Sequence, residues 1–280
     1  LRSGGSCILR RRSKRRRAGA RSNEHRCSME AACHFPTRAI REEMRRDDSV
    51  VLLGEDVGAA GGIFAQTRGL FEEFGPLRVR DTPIAEAGFT TLAVGAAMTG
   101  LRPVVEIGFE DFLTACMDSI VNQGAKLRYM LGGQVDIPVT LYTFGSGGVN
   151  AGPQHSQSLA AWFAHVPGLK VVQPASARDV LGLMKTAIRD NNFTLVLLSK
   201  LLIGSTEPAP GEDEDFIVPF GQANVLREGS DATLVAIGAT VPAALAAAKT
   251  LAEEGVAVDL IDPRTVSPLD INSILASVRK

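Results

Sequence analysis

The stretch RVRDTPIAEAGFTTLAVGAAMTGLRPVVEI, residues 78–107, decides how this chain is read. A short strand runs into Asp81-Thr82-Pro83, where a capping threonine and a helix-starting proline open a helix. Pro103-Val104-Val105-Glu106-Ile107 is then a second strand. The order strand, helix, strand predicts parallel pairing, because only a crossover brings the chain back to start beside its own beginning. Glu86 falls in the first turns of the helix, at the strand ends where open α/β sheets bind ligands. The same position also suits a solvated glutamate favoured by the helix dipole.

Outward from this stretch the unit repeats. Thr37 can cap a helix running to Arg46, and Val50-Val51-Leu52-Leu53 reads as a buried strand ending at Gly54. Asp111 to Met130 reads as one long helix with Leu113, Met117, Ile120, Val121 and Leu127 on its apolar stripe. Strands are expected at 137–144, 169–172 and 195–198, with a helix capped by Ser176 and ending at Arg189. Residues 204–219, GSTEPAPGEDEDFIVP, hold five acidic side chains among prolines and read as a linker. A second set follows: strand 232–237, helix 241–254, strand 256–261 and the start of a helix at Leu269. The expected organisation is a basic head at 1–35, an α/β domain at 36–203, the linker at 204–219 and a partial α/β domain at 220–280. About 60 residues is short for such a domain, and the first residue is Leu1, so the chain reads as a fragment.

Composition narrows the function. Of 280 residues 45% are apolar and 22% charged, ordinary globular usage. No run approaches the roughly 18 apolar residues of a membrane span. The cysteines at 7, 27, 33 and 116 have no C-x-x-C spacing, and the histidines at 25, 34, 155 and 165 have no metal-ligand spacing. Neither G-x-x-x-x-G-K-[ST] nor G-x-G-x-x-G occurs among the 28 glycines. Residues 1–28 carry ten Lys/Arg against one acidic residue, Glu24. Without interleaved aromatics, this head reads first as a disordered tail or an upstream extension before Met29, with a nucleic-acid or organelle-import segment as the weaker alternative. One local feature remains besides Glu86: His155, in the Gly-rich loop GPQHSQ (152–157), is a general acid/base candidate or an exposed loop histidine.

The same residues resemble the beta subunit of the thiamine-diphosphate-dependent first component of 2-oxo acid dehydrogenase complexes. The shared wording includes LLGEDVG (52–58), GGIFAQTRGLFEEFG (61–75), RVRDTPIAEAGF (78–89), GAAMTGLRPVVEIGFEDF (95–112), NQGAKLRYMLGG (122–133), QHSQSLAAWFAHVPGLKVVQP (154–174), AIRDNN (187–192), PFGQANVLREG (219–229) and IDPRTVSPLD (261–270). The resemblance implies an α/β fold in which a transketolase-type pyrimidine-binding domain with a parallel sheet precedes an incomplete transketolase C-terminal-type domain. It implies that Glu86 bonds the aminopyrimidine of thiamine diphosphate and that His155 serves acyl transfer to a lipoyl arm. Phe112 matches an aromatic beside that ring, with an ordinary core role as its alternative. Val139, Ala187, Ile188, Asp190 and Asn192 match a structural potassium site. The chain has no GDG motif followed by asparagine, so Mg²⁺ and the diphosphate are expected on a separate alpha subunit, in an α2β2 heterotetramer served by a lipoylated dihydrolipoamide acyltransferase. Ser199 stands where relatives usually carry a glutamate near the strand end, and the loop at 145–153 departs from the usual wording.

The expected activity is oxidative decarboxylation of pyruvate, with acetoin cleavage as the near alternative. From another class, the alternative is a truncated nonenzymatic interaction protein with a basic nucleic-acid-binding tail. A transketolase-type enzyme complete in one chain is disfavoured by the missing diphosphate motif. The expected location is cytoplasmic, with the mitochondrial matrix or plastid stroma second.

Overall fold

The computed structural model describes residues 29–31, 34–145, 150–208, 210–211 and 214–280. In chain order the first half comprises β1 (Met29–Ala31), α1 (His34–Arg46), β2 (Val50–Gly54), α2 (Leu70–Phe74), β3 (Val79–Asp81), α3 (Glu86–Met98) and β4 (Arg102–Phe109). A 3-10 segment (Glu110–Cys116) and a π-helical segment (Asp118–Gly124) lead to α4 (Leu127–Met130), β5 (Thr140–Gly145), α5 (Ala160–Ala164), β6 (Lys170–Val172), α6 (Ala177–Arg189), β7 (Thr194–Ser199) and β8 (Thr206–Pro208). The last part holds β9 (Asn224–Arg227), β10 (Ala232–Val235), α7 (Val241–Glu253), β11 (Val258–Asp262), β12 (Thr265–Ser267) and α8 (Ile271–Val278).

The main sheet has the order β12-β6-β7-β5-β4-β2-β3 and is parallel except for β12. Its central strands are apolar because helices or packed segments cover both faces, so no alternating polar face is needed. β5 and β7 are buried at every position. One core layer joins Phe35, Ile40 and Met44 of α1 to Leu181, Met184 and Ile188 of α6. The other packs Phe89 and Ala93 of α3 against Leu113, Ile120 and Phe163. Ser176 caps α6 as the sequence predicts, its hydroxyl accepting the Asp179 amide.

Several expectations are corrected. α1 begins at His34, ahead of Thr37, whose hydroxyl points inward and donates to the Gln66 carbonyl. The expected helix 111–130 is broken into 3-10, π and α pieces. The 3-10 piece opens on Glu110 and Asp111, which turn inward and are buried, and Gly124 lies so close to Phe193 that a Cβ there would stand 2.4 Å from the ring. Residues 29–31 of the supposed head form β1, which pairs antiparallel with β8 inside the supposed linker. That linker is also held by a buried Val218 and by Asp215, which accepts from Arg189 at 2.7 and 2.9 Å. β12 leaves the C-terminal unit to extend the main sheet beside β6, so the two units share a sheet. The smaller sheet, β10-β11-β9, carries its own core of Ala244, Ala248, Val258 and Leu260.

Two buried polar clusters lock this arrangement. Glu43 of α1, fully buried, accepts from Arg189 of α6 at 2.6 Å and from Arg46 at 2.7 Å. Lys185, also buried, pairs with Glu42 at 2.9 Å and Asp215 at 2.7 Å. Within the sheet, Glu106 of β4 accepts from Tyr142 Oη at 2.6 Å and from Gln66 Nε2. Burial, offset by these two hydrogen bonds, raises the Glu106 carboxyl to about 7.

Glu43→Ala removes the buried acceptor shared by Arg189 and Arg46, leaving Arg189 only Asp215 among the described residues, and is expected to cost about 3 kcal/mol in urea denaturation. Replacing the pair together, Glu43→Leu with Arg189→Met, is expected to recover part of that loss. The raised Glu106 means that the folded chain holds a proton which the unfolded chain has lost. Stability is therefore greatest below the ordinary carboxyl value of 4.5 and falls as pH rises toward about 7. The fall is on the order of 3 kcal/mol. Glu106→Gln is expected to remove this share of the slope and leave that of Asp262, the other carboxyl raised to about 7.

Candidate functional site

The strands β2, β3, β4, β5 and β7 all end at one edge of the sheet, and the candidate groups follow those ends directly. Glu55 and Asp56 follow β2; Thr82 to Glu86 follow β3; Glu110 to Phe112 follow β4; His155 lies in the loop after β5; Ser199 and Lys200 close β7. Parallel pairing produces this gathering, because it aligns every C-terminus on the same side.

Glu86 is the first residue of α3 and is half-buried. Its charge reaches Glu55, whose carboxyl is raised first by burial and then by Glu86 and Asp56. Glu55 Oε1 is buried and has no hydrogen-bond partner among the described residues. Cys116 is pushed up to about 11 by burial, with Glu86 and Glu55 adding to the shift against a hydrogen bond to Thr90. α3 is joined to the segment after β4 through the Thr91 and Ser119 hydroxyls, 2.6 Å apart. Ser119 also donates to the Ala87 carbonyl at 3.2 Å. Phe112 and Cys116 share one turn of that segment, the thiol lying 3.6 Å from the Phe112 carbonyl.

His155 sits in a 3-10 turn, Pro153–His155, with its ring half-buried against two aromatics. The Phe109 ring lies 4.4 Å away at 75°, and the Phe112 ring 5.4 Å away at 81°. Phe64, brought in by the loop after β2, packs edge-on against Phe109 at 6.0 Å and Phe144 at 4.9 Å. Lys200 Nζ lies 5.3 Å from the Phe109 ring centroid and donates to the His155 carbonyl. Asp111 Oδ1 accepts the Gln157 amide at 3.1 Å, and Glu110 Oε1 accepts the Leu159 amide.

The structure thus puts Glu86, Phe112 and His155 at one sheet edge. Sequence reasoning did not single out Glu55, Phe109, Glu110, Asp111 and Lys200 as part of it. A usable signal was present, since LLGE and GFED each place acidic residues directly after an apolar strand run. Ser199 is buried, and its hydroxyl accepts the Leu201 amide at 3.3 Å to cap a short 3-10 turn. Of the loop that departs from the familiar wording, residues 146–149 lie outside the described residues.

A half-buried carboxyl whose charge reaches a buried, unpartnered carboxyl oxygen, on the same sheet edge as the aromatic rings around His155, suits an aminopyrimidine that both donates and accepts hydrogen bonds. A metal held by side chains alone is poorly matched. Among the described residues no group of three His, Cys, Asp or Glu side chains could hold one. The five residues matched to potassium carry hydrogen bonds of their own, and a carbonyl oxygen has a second lone pair beside each such bond. Arg102 donates to the carbonyls of Ile188 at 3.0 Å and Asp190 at 3.1 Å, while Val139 O accepts Thr194 N at 2.9 Å and Ala187 O accepts Asp190 N at 3.1 Å. The Asp190 carboxylate pairs with Lys170 and accepts from Asn192 at 2.8 and 2.9 Å.

Comparison with known proteins agrees with this architecture. The family described as "Transketolase, pyrimidine binding domain" matches residues 34–205, and "Transketolase, C-terminal domain" matches residues 221–280. Rice mitochondrial "Pyruvate dehydrogenase E1 component subunit beta-2" is 47% identical over 244 residues, covering 86% of this chain and 65% of its own length. The beta subunit of "Acetoin:2,6-dichlorophenolindophenol oxidoreductase" from Bacillus subtilis is 43% identical over 254 residues, covering 86% of this chain and 74% of its own. The pyruvate dehydrogenase beta subunit of Rickettsia felis is 47% identical over 242 residues, with the same coverages of 86% and 74%. A solved split-gene transketolase, an inactive beta4 tetramer, superposes with a TM-score of 0.72 at 24% identity, over 89% of this chain and 76% of that one. From the sheet order, both domain matches and relatives 43–47% identical, this chain belongs to the transketolase-type family of pyruvate and acetoin dehydrogenase beta subunits.

Proposed function

We propose that this chain is the beta subunit of a thiamine-diphosphate-dependent 2-oxo acid dehydrogenase, decarboxylating pyruvate and passing the acyl group to a lipoyl arm. The carrying observation is the placement of Glu86 in the first turn of α3, where its charge reaches Glu55 with its unpartnered oxygen, at the sheet edge that holds His155. When bound, thiamine diphosphate supplies the carbon nucleophile that attacks the substrate carbonyl. Glu86 would bond the ring nitrogen of its aminopyrimidine and exchange a proton there, which only a carboxyl at that position can do. Phe112 would pack beside that ring. His155 would hold or deliver a proton during acyl transfer, while Phe64, Phe109 and Phe112 exclude water around it.

The diphosphate and Mg²⁺ are assigned to an alpha subunit in an α2β2 assembly, because this chain has neither their motif nor an acidic metal cluster among its described residues. The exposed side of α3 supports a covering partner. Leu92 is 59% exposed, Ile84 just before the helix is 82% exposed, and Glu86 is the only charged residue in the helix. The lipoylated acyltransferase is the proposed acyl acceptor. A structural potassium ion would sit among Val139, Ala187, Ile188, Asp190 and Asn192, since a carbonyl oxygen that accepts one hydrogen bond has a second lone pair for a cation. No helix among the described residues is long and apolar enough to cross a membrane. Both a cytoplasmic and an organellar setting fit the reading, as bacterial and plant mitochondrial relatives are alike similar. Acetoin cleavage is the second reading, favoured by the similarity to the Bacillus subtilis beta subunit.

The test is co-assembly of the full-length chain with an alpha subunit, followed by dye-coupled assays on pyruvate, branched 2-oxo acids and acetoin. Glu86→Gln is expected to lower kcat by about 100-fold or more with an unchanged Tm. Full activity in that variant would remove Glu86 from the mechanism. His155→Ala is expected to leave dye reduction within about threefold while acyl transfer to lipoamide falls about 100-fold. Equal loss of both activities would deny His155 a separate role in transfer.

A further inference from the structure

The sheet edge holds the backbone of the His155 segment from two strands, and the hold is built at some cost. Glu110 and Asp111 are consecutive and almost fully buried, at 1% and 3% exposure. Burying adjacent carboxyl groups is unfavourable unless hydrogen bonds compensate. Their compensation comes partly from one place: Leu159 N donates to Glu110 Oε1, and Gln157 N donates to Asp111 Oδ1. From the end of β7, Lys200 Nζ donates to the His155 carbonyl and lies against the Phe109 ring. Alternate residues 155, 157 and 159 are therefore all tied by their main chain, and the intervening side chains are left unconstrained by these bonds.

The fold makes room for this arrangement at Gly145, the last residue of β5. A Cβ there would fall 1.5 Å from Glu110 Oε2, so Glu110 can cross the strand end only over a glycine. Asp111 Oδ2 remains buried with no partner among the described residues. A core optimised only for stability has no reason to keep such an oxygen. The ring contacts complete the picture: Phe109 and Phe112, which bracket the two carboxylates in sequence, are the rings packed on His155.

We propose that Glu110, Asp111 and Lys200 are positioning residues: a backbone latch that fixes the 153–159 segment and thereby holds the His155 ring in its aromatic bracket for acyl transfer. This rests on the reading of His155 given above. The latch acts on His155 and not on Glu86, so it separates the two halves of the reaction. The Asp111 carboxylate, which accepts an amide proton, also makes a specific demand on chemistry. An amide side chain keeps the acceptor oxygen, whereas alanine removes it.

The experiment compares Asp111→Ala, Asp111→Asn and Lys200→Met in the full-length chain assembled with its alpha subunit. Asp111→Ala is expected to keep dye reduction within about threefold while kcat for acyl transfer to lipoamide falls about tenfold or more, with KM for the oxo acid unchanged. Asp111→Asn should restore most of the transfer, and Lys200→Met should reproduce the selective loss. In the same complexes, amide hydrogen exchange of peptide 153–160 should quicken about tenfold in the alanine and methionine variants. Transfer at the wild-type rate, both half-reactions falling by one factor, or unchanged exchange in Lys200→Met would overturn the latch. A wild-type complex inactive on every substrate would overturn the enzyme reading instead, and exchange alone would then decide the latch. If Asp111→Ala fails to assemble, Lys200→Met carries the decision, since Lys200 is half-buried and follows β7, where methionine keeps the length of the stem.

Discussion

β4 is paired on both sides, and the rest of the site depends on that pairing. Gly54 of β2 lies opposite Glu106, and Phe144 of β5 lies opposite Phe109. A strand has a side-chain period of two, so a one-residue slip would turn Glu106 out of the sheet and swing Phe109 away from His155. The register of β4 with β5 shifts between Ile107 and Phe109, just before the chain leaves the sheet as Glu110 and Asp111. One strand thus carries an internal anchor for the loop after β2 and, at its end, the aromatic and acidic groups around the histidine.

The loop after β2 shows how that anchor works. Gln66 is buried, donates to Glu106, and accepts the Phe64 amide at 2.7 Å through its own side-chain oxygen. Its carbonyl takes the Thr37 hydroxyl from α1. Together with backbone turn bonds and the Thr67 hydroxyl on the Val57 carbonyl, this glutamine holds residues 58–69, in which Phe64 packs against Phe109 and Phe144. Gly108 leaves space for Ile63, whose Cδ1 would stand 2.4 Å from a Cβ there. The polar interior is consequently divided by purpose. Glu43, Lys185 and Arg189 tie helices together on one face of the sheet, while Glu106, Glu110 and Asp111 tie loops to its working edge.

The two faces also differ in what they leave uncovered. On the α1 and α6 side, ion pairs and the linker residues Asp215 and Val218 close the surface. On the α3 side an almost uncharged helix stays exposed. Water tolerates isolated apolar residues, but a whole helix face without charge is what a partner surface requires. Glu86 stands at the start of this helix, so the surface and the candidate site are continuous.

By itself the sequence determined the parallel α/β class, because buried strands alternating with amphipathic helices leave no other layering. Its motifs also marked Glu86, Phe112 and His155, whose residue types and neighbours survive as local wording. Other features were decided only in the folded chain. The break of the 111–130 helix, the pairing of β1 with β8 and the crossing of β12 into the main sheet each depend on partners far away in sequence. Local propensity cannot register such contacts. The same holds for the groups around the histidine: Asp111 and Gln157 are 46 residues apart, and Lys200 and His155 are 45 apart. A buried carboxylate and an exposed one are spelled with the same letter. Tertiary structure separates them, because only it sets which backbone amides stand within hydrogen-bond reach.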